Sequence, residues 1–250
     1  MSEQWQFYPC SMGDNQAFIC FDEGIEKIIG QQAPSELVRI ALTYHDPHPT
    51  GLPKSIEFEA VSSIEDRLKE FAGLTNDWYV GRVTVSGYRY FYIYTSRSES
   101  EWTDFSASVT EQTGYEFVPS FRSDPTHEGY WEELYPTEDD RQVIKDLQVI
   151  GILEKHGDDG SVPRKVDHWI CFTDACAAAS FKTWLENSRF KSEPDLSTMD
   201  DDGGSCVRVS HHGPIKIGDI SSHSIELGRQ AKKLGGSYDG WEAPIIKKND

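Results

Sequence analysis

The spacing of apolar residues switches repeatedly between Leu37 and Phe121, and that alternation limits the folds open to the chain. Leu37-Val38-Arg39-Ile40-Ala41-Leu42 reads as a strand and runs into a breaker loop, Tyr44 to Pro53, with three prolines and a glycine. Phe58, Val61, Ile64, Leu68 and Phe71 then recur at steps of three and four, one face of a helix, with Pro53 suited to its start and Gly73 to its end. Trp78 to Val85 and Tyr88 to Thr95 flank Ser86-Gly87, a hairpin signal. Tyr88, Tyr90, Tyr92 and Tyr94 share one face of the second strand, and Phe91 and Ile93 the other. The tyrosine face is either covered by a helix or an aromatic contact surface. Glu101 to Gln112 reads as a helix through Trp102, Phe105 and Val109, and Tyr115 to Phe121 as a closing strand. The order strand, helix, strand, strand, helix, strand is that of a split β-α-β unit. Trp5 to Tyr8 and Ala17 to Phe21, around a turn at Ser11 to Asn15, add a hairpin in front.

Residues 122–137 hold breakers, but Trp131, Leu134 and Tyr135 among them predict a docked linker. The boundary falls near Pro136, dividing the chain into domains 1–135 and 136–250. Thr137 is a good N-cap, and Val143, Ile144, Leu147, Ile150 and Leu153 form the apolar face of the helix behind it, which ends at His156-Gly157. Asp158 to Lys165 is a turn-rich loop, and Val166 to Phe172 a strand. Thr173 or Asp174 caps a helix carrying Ala177, Ala178, Phe181, Trp184 and Leu185. A weak strand, Phe190 to Leu196, precedes an acidic loop, Asp200-Asp201-Asp202-Gly203-Gly204. Cys206 to Ser210 is the next strand, and Asp219 can cap a helix with Ile220, Leu227, Ala231 and Leu234. Gly235-Gly236 stops that helix, and Tyr238-Asp239-Gly240-Trp241 enters the last strand. Behind its leading helix this half repeats the split β-α-β order. The expected fold is therefore α/β (α+β): two ferredoxin-like α/β sandwich domains, the N-terminal one with an extra β-hairpin.

Charge narrows the function. The formal net charge is −18, which disfavours direct nucleic-acid binding and suits a basic protein partner. Residues 1–136 hold 9 Lys/Arg against 22 Asp/Glu. The five cysteines, Cys10, Cys20, Cys171, Cys176 and Cys206, include no C-x-x-C pair. They predict free thiols in a reducing compartment. With no basic-then-apolar leader at MSEQWQFYPC and no long apolar run, the expected location is the cytoplasm, without membrane contact.

The residues do not predict an enzyme, a metal or a cofactor. His45-x-x-His48 has no further ligand nearby. His211-His212 reads as a solvent-exposed pair at a strand end. Asp167 and His168 point to opposite faces of their strand, with His168 beside Ile170 and Phe172. Phosphate-loop, nucleophile-elbow and zinc-protease motifs are missing from the sequence.

Two resemblances add to this reading. The first half resembles a bacterial domain family of unknown function, through Trp5-x-Phe7-Tyr8, Gly51-Leu52-Pro53, Ile64-Glu65-Asp66, Tyr79-Val80-Gly81-Arg82-Val83-Thr84 and Arg89-Tyr90-Phe91-Tyr92-x-Tyr94. Residues 138–246 resemble the type-B regulators of ribonuclease E activity. Gly157-Asp158-Asp159, Pro163-Arg164, Val166-Asp167-His168-Trp169 and Gly235-Gly236-x-Tyr238-Asp239-Gly240-Trp241-Glu242 carry that likeness. It implies a ferredoxin-like sandwich that binds the non-catalytic scaffold of an RNA-degrading endonuclease and reduces its action. An N-terminal domain fused in front departs from that family. Asp158, Asp159, Asp167, Tyr238, Asp239 and Trp241 are the candidate partner contacts, with packing as the alternative role for Tyr238 and Trp241. A different class of function, an immunity-type inhibitor of one basic toxin enzyme, also suits a small acidic α/β protein.

Overall fold

The computed structural model describes residues 2, 4–193 and 205–247. The chain divides into two compact units, Met1–Asp140 and Arg141–Asp250. In the first, β1 (Trp5–Met12) and β2 (Asn15–Asp22) form a hairpin. They are followed by α1 (Ile29–Gln32), β3 (Glu36–Thr43), α2 (Phe58–Gly73), β4 (Trp78–Val85), β5 (Tyr88–Thr95), α3 (Glu99–Thr113) and β6 (Phe117–Ser123). The sheet order is β1-β2-β4-β5-β3-β6, with every neighbouring pair antiparallel. β3 and β4, joined by α2, therefore run parallel with β5 between them. β5 and β6, joined by α3, likewise flank β3. This is the split β-α-β arrangement. α2 and α3 bury their apolar stripes on one face, where Val61, Ile64, Leu68, Trp102 and Val109 meet Val38, Ile40, Phe91 and Ile93.

Local chemistry sets the helix limits. A 3-10 turn, Ser55–Glu57, delays α2, so Phe58 opens the helix one turn ahead of Val61 and is 52% exposed, outside the expected buried stripe. α3 starts two residues earlier than the apolar spacing predicts because Ser98 and Glu101 form a capping box. Gly114, left-handed, ends it.

The tyrosine face of β5 is covered by chain that is mostly not helix. Residues 124–135, including the short α4 (Glu128–Trp131), dock there. Tyr94 Oη donates to Asp124 (2.7 Å), and the N–H groups of Glu128 and Gly129 donate to the same carboxylate at 2.8 Å. Tyr92 donates to Glu133 at 2.8 Å, and Tyr8 to the Leu134 carbonyl at 2.9 Å. The docked linker expected from Trp131, Leu134 and Tyr135 is thus held by phenol hydroxyls as well as by apolar contact.

The second unit contains α5 (Glu138–Lys155) beyond its first turn, then β7 (Arg164–Phe172), α6 (Ala175–Leu185), β8 (Lys191–Ser192), β9 (Ser205–Gly213), α7 (Ile217–Lys233) and β10 (Gly236–Glu242). The order is β10-β7-β9-β8, again all antiparallel. β7 and β8 flank β9, and β9 and β10 flank β7, so the split arrangement recurs. Asp174, not Thr173, caps α6, accepting from the Cys176 and Ala177 N–H groups. α7 starts at Ile217, which places Asp219 in its first turn and not at its cap. Of the weak strand expected at Phe190 to Leu196, Lys191–Ser192 pairs with β9, and residues 194–196 lie outside the described residues. The acidic loop Asp200 to Gly204 also lies outside them.

The expectation of free thiols throughout is overturned. Cys171 and Cys206 are disulfide-bonded, while Cys10, Cys20 and Cys176 are free. The reason is register: the two residues stand directly opposite on β7 and β9 although 35 positions apart, a juxtaposition no local spacing motif announces.

The Asp124 carboxylate gathers three donors in a buried place, where it is 4% exposed. Burial pushes its pKa up, but the hydrogen bonds outweigh that and hold it below the usual carboxylate range. Removing it orphans a tyrosine hydroxyl and two backbone N–H groups. We expect Asp124→Ala to lower the unfolding free energy by about 2–4 kcal/mol in a denaturant titration, and Glu128→Ala, whose side chain lacks that role, by under about 1 kcal/mol.

Candidate partner-binding site

The sheet of the second unit has two unlike faces. Val166, His168, Ile170 and Phe172 of β7 and Val207 and Val209 of β9 are buried beneath the helices. α6 and α7 cover them through Ala178, Phe181, Leu185, Leu227 and Ala231, and α5 and α7 through Leu153 and Ile220. The other face carries Asp167, Trp169, Cys171, Cys206 and Arg208, all half-buried, and among the described residues no helix of the unit packs on it.

β10 enters this sheet through a close approach. A Cβ on Gly236 would lie 2.3 Å from the Phe172 ring, so only glycine fits there. A bulge follows: the register slips between Tyr238, opposite Ile170, and Gly240, opposite Trp169. Asp239 is the extra residue and is exposed. Without the slip, Tyr238 and Trp241 would alternate across the sheet. With it, both turn to the helix side.

There the two rings meet buried polar partners. Tyr238 Oη lies 2.7 Å from Nδ1 of His168, whose Nε2 lies 2.9 Å from Nδ1 of His211. His223 of α7 stacks on His211 with centroids 4.0 Å apart. His211 is therefore half-buried within a hydrogen-bonded chain, in contrast to the exposed pair expected; its neighbour His212 is exposed. Burial, then the neighbouring His211 and His223 rings, lower the His168 pKa to about 3. Burial, then His223, lower that of His211 to about 4. Burial raises the Tyr238 phenol above its ordinary value. Trp241, 7% exposed, donates its indole N–H to Asp146 of α5 at 3.0 Å. Ser221 and Ser224 of α7 donate to the other oxygen at 2.9 and 2.6 Å.

Asp158 also faces inward. Its carboxylate is bracketed by the Arg164 guanidinium and accepts from the Ile246 N–H at 2.8 Å and the Gly160 N–H at 3.0 Å. Arg164 holds its pKa down to about 2 against the opposing effect of burial. Asp159, one residue on, is exposed and accepts from the Ser161 N–H at 3.0 Å. Asp167 lies on the helix-free face, 2.9 Å from Lys165. Of the six candidate contacts, the structure brings Tyr238 and Trp241 into one interior layer. It places Asp158 in a separate buried ion pair, and leaves Asp159, Asp167 and Asp239 at scattered outward positions.

Asp146, His211 and His223 were not among the sequence candidates. Asp146 had a signal: it stands three residues after Val143 and four before Ile150, a carboxylate inside an apolar helical stripe. His211 and His223 had none, since their meeting depends on how α7 lies over β9. In the first unit His45 stacks on Tyr115 and His48 contacts Thr50, so the two rings have separate surroundings. Among the described residues no group of three or more His, Cys, Asp or Glu is arranged to hold a metal ion, and no helix is long and apolar enough to cross a membrane.

These features define a two-unit α/β protein whose second unit spends its unusual polar groups internally. The chain belongs to a family of unknown function (DUF695), whose model matches residues 3–135. A second model, described as regulator of ribonuclease activity B, matches residues 143–243. Both matches agree with the resemblances carried by the sequence patterns. A comparison with curated proteins finds no match.

The histidine chain yields a pH dependence of defined sign. Folded pKa values below the ordinary 6.5 mean that the unfolded chain binds protons first as pH falls. The contribution of these two histidines to stability is full above about pH 6.5 and is lost toward about pH 4 and then about 3. The wholly buried His168 accounts for up to about 1.4 kcal/mol per pH unit within that window. We expect the melting midpoint to fall between pH 7 and 4.5, and to fall less steeply in His223→Gln.

Proposed function

We propose that this chain is a non-catalytic binding protein whose second unit restrains an RNA-degrading endonuclease by occupying a basic scaffold segment of that partner. The observation that carries this reading is the match of residues 143–243 to regulators of ribonuclease activity. Charge supports it. A chain of net charge −18 repels RNA phosphates and attracts Arg- and Lys-rich segments. A segment that grips phosphates with guanidinium forks offers the same forks to carboxylates. Asp159 and Asp239 are exposed, and Asp167 sits beside the half-exposed Trp169 on the helix-free face. These side chains are assigned the contact role. Asp158, Tyr238 and Trp241 hold the loop and the closing strand from inside.

Affinity capture with the full chain from host lysate should recover an RNA-degrading endonuclease or a protein bound to it, in amounts that fall as salt rises. The double variant Asp159→Lys, Asp239→Lys should lose about tenfold in recovery with a melting midpoint within about 2 °C of the parent. Recovery of a lone basic toxin enzyme would instead favour the immunity-type reading. Recovery of no nuclease component, from cells that contain one, sinks the proposal.

We place this action in the cytoplasm. The Cys171–Cys206 bond argues the other way, because cytosolic reductants keep thiols reduced. Alkylation at the moment of lysis decides between them: both cysteines are modified in a cytoplasmic protein and protected in one from an oxidising compartment.

A further inference from the structure

The β1–β2 hairpin widens the first sheet past the strands that α2 and α3 cover. On the helix side of this extension stand Phe7 of β1 and Phe18 and Cys20 of β2, in register with Arg82 and Thr84 of β4. Phe7 and Phe18 stack with centroids 5.3 Å apart, and Phe7 is 47% exposed. Phe58, displaced from the core by the turn before α2, faces the same space. Together with Leu52, Arg82 and Arg89 they line a cavity of about 290 Å³. Phe58, Arg82 and Arg89 also line an adjoining cavity of about 360 Å³. Aromatic rings and two guanidinium groups thus line one connected space.

The charges here run against the rest of the half. Three of the nine basic residues within 1–136, Lys69, Arg82 and Arg89, converge on one carboxylate, Glu65. Glu65 is 4% exposed. It is ion-paired with Arg82, and lies 3.0 Å from Lys69 and 3.3 Å from Arg89. Asp66, 3.9 Å from Lys69, is the second acid of the group. One cation would pair Glu65, and three over-supply it. Against Glu65 and Asp66 together, one unit of positive charge is left over. Arg82 uses Nη1 on Glu65, and Arg89 uses Nη1 on Glu65 and Nε on Tyr44. Arg82 is also hydrogen-bonded to the Tyr79 side chain, and the Arg82 and Arg89 side chains are only 27% and 13% exposed. Holding such groups partly out of water is costly unless an anion meets them. Burial raises the Cys20 pKa, so its thiol lines the cavity as a neutral group.

We propose that this cavity binds a small organic carboxylate, its head held by the guanidinium groups of Arg82 and Arg89 and its flat apolar body set between Phe58 and the Phe7–Phe18 stack. A single negative charge balances the cluster, which favours a carboxylate over a phosphate dianion. Planar guanidinium groups suit the planar head. The cavity volume, about 290 Å³, lies just below the roughly 300–1,000 Å³ seen for ligand sites, which limits the ligand to a small one. This site lies wholly in the first unit and is independent of the regulatory reading of the second.

The test titrates the full chain with three probes of one shape: 2-naphthoate, 2-naphthalenemethanol and 2-naphthyl phosphate. By calorimetry, 2-naphthoate should bind one per chain, about tenfold or more tighter than the neutral alcohol and tighter than the phosphate. Phe58→Ala removes an exposed ring and should weaken 2-naphthoate about fivefold or more with an unchanged melting midpoint. Arg82→Lys keeps a cation beside Glu65 but loses the fork, and should weaken it similarly. Failure of 2-naphthoate to bind, equal binding of the alcohol, tighter binding of the phosphate, or affinity untouched by both variants overturns the proposal.

Discussion

Asp146 is the constraint on which the second unit depends. It is wholly buried, and its oxygens accept from Trp241, Ser221, Ser224 and Gln142. Those donors belong to the closing strand, to α7 and to α5 itself. A single side chain thereby ties the leading helix to the last helix and the last strand. The arrangement is strict because a buried carboxylate stripped of donors is expensive, so α5, α7 and β10 must reach their places together. It also explains why the Gly-x-Tyr-Asp-Gly-Trp pattern ends in tryptophan: the ring fills an apolar layer with Leu153, Val166 and Ile220, and its N–H answers Asp146.

The same economy runs through the first unit. There Asp124 gathers a tyrosine hydroxyl and two backbone N–H groups to dock the segment after β6. Both units place helices on one face of a split β-α-β sheet and leave the other face to different solutions. The first covers it with residues 124–135. Among the described residues, the second leaves Trp169, Arg208 and the Cys171–Cys206 pair without a helix above them. The added hairpin has the opposite effect on the helix side of the first unit, creating sheet that α2 and α3 are too few to cover.

Legibility followed the range of the interactions. Helix and strand order could be read from spacing, because amphipathic period is a local property. Thr137 and Asp174 as helix starts follow from cap chemistry within three residues. Phe58 shows the limit: its spacing matches the apolar stripe of α2, yet a 3-10 turn leaves it facing outward. The disulfide and the His168–His211–His223 chain were illegible, because strand register and helix placement bring together residues from three elements.

The sequence by itself determined the order of the main helices and strands, the helix starts at Thr137 and Asp174, the strongly acidic charge and the two family patterns. Each is written in contiguous residues or in composition. Only the tertiary structure decided which side chains of the Gly235 to Glu242 stretch face inward. One bulge at Asp239 sends Tyr238 and Trp241 to the same side, toward His168 and Asp146, and leaves Asp239 outside. The reason is physical: strand alternation has a period of two, so a one-residue slip exchanges interior for surface. That slip is set by pairing with β7, some 70 residues earlier in the chain.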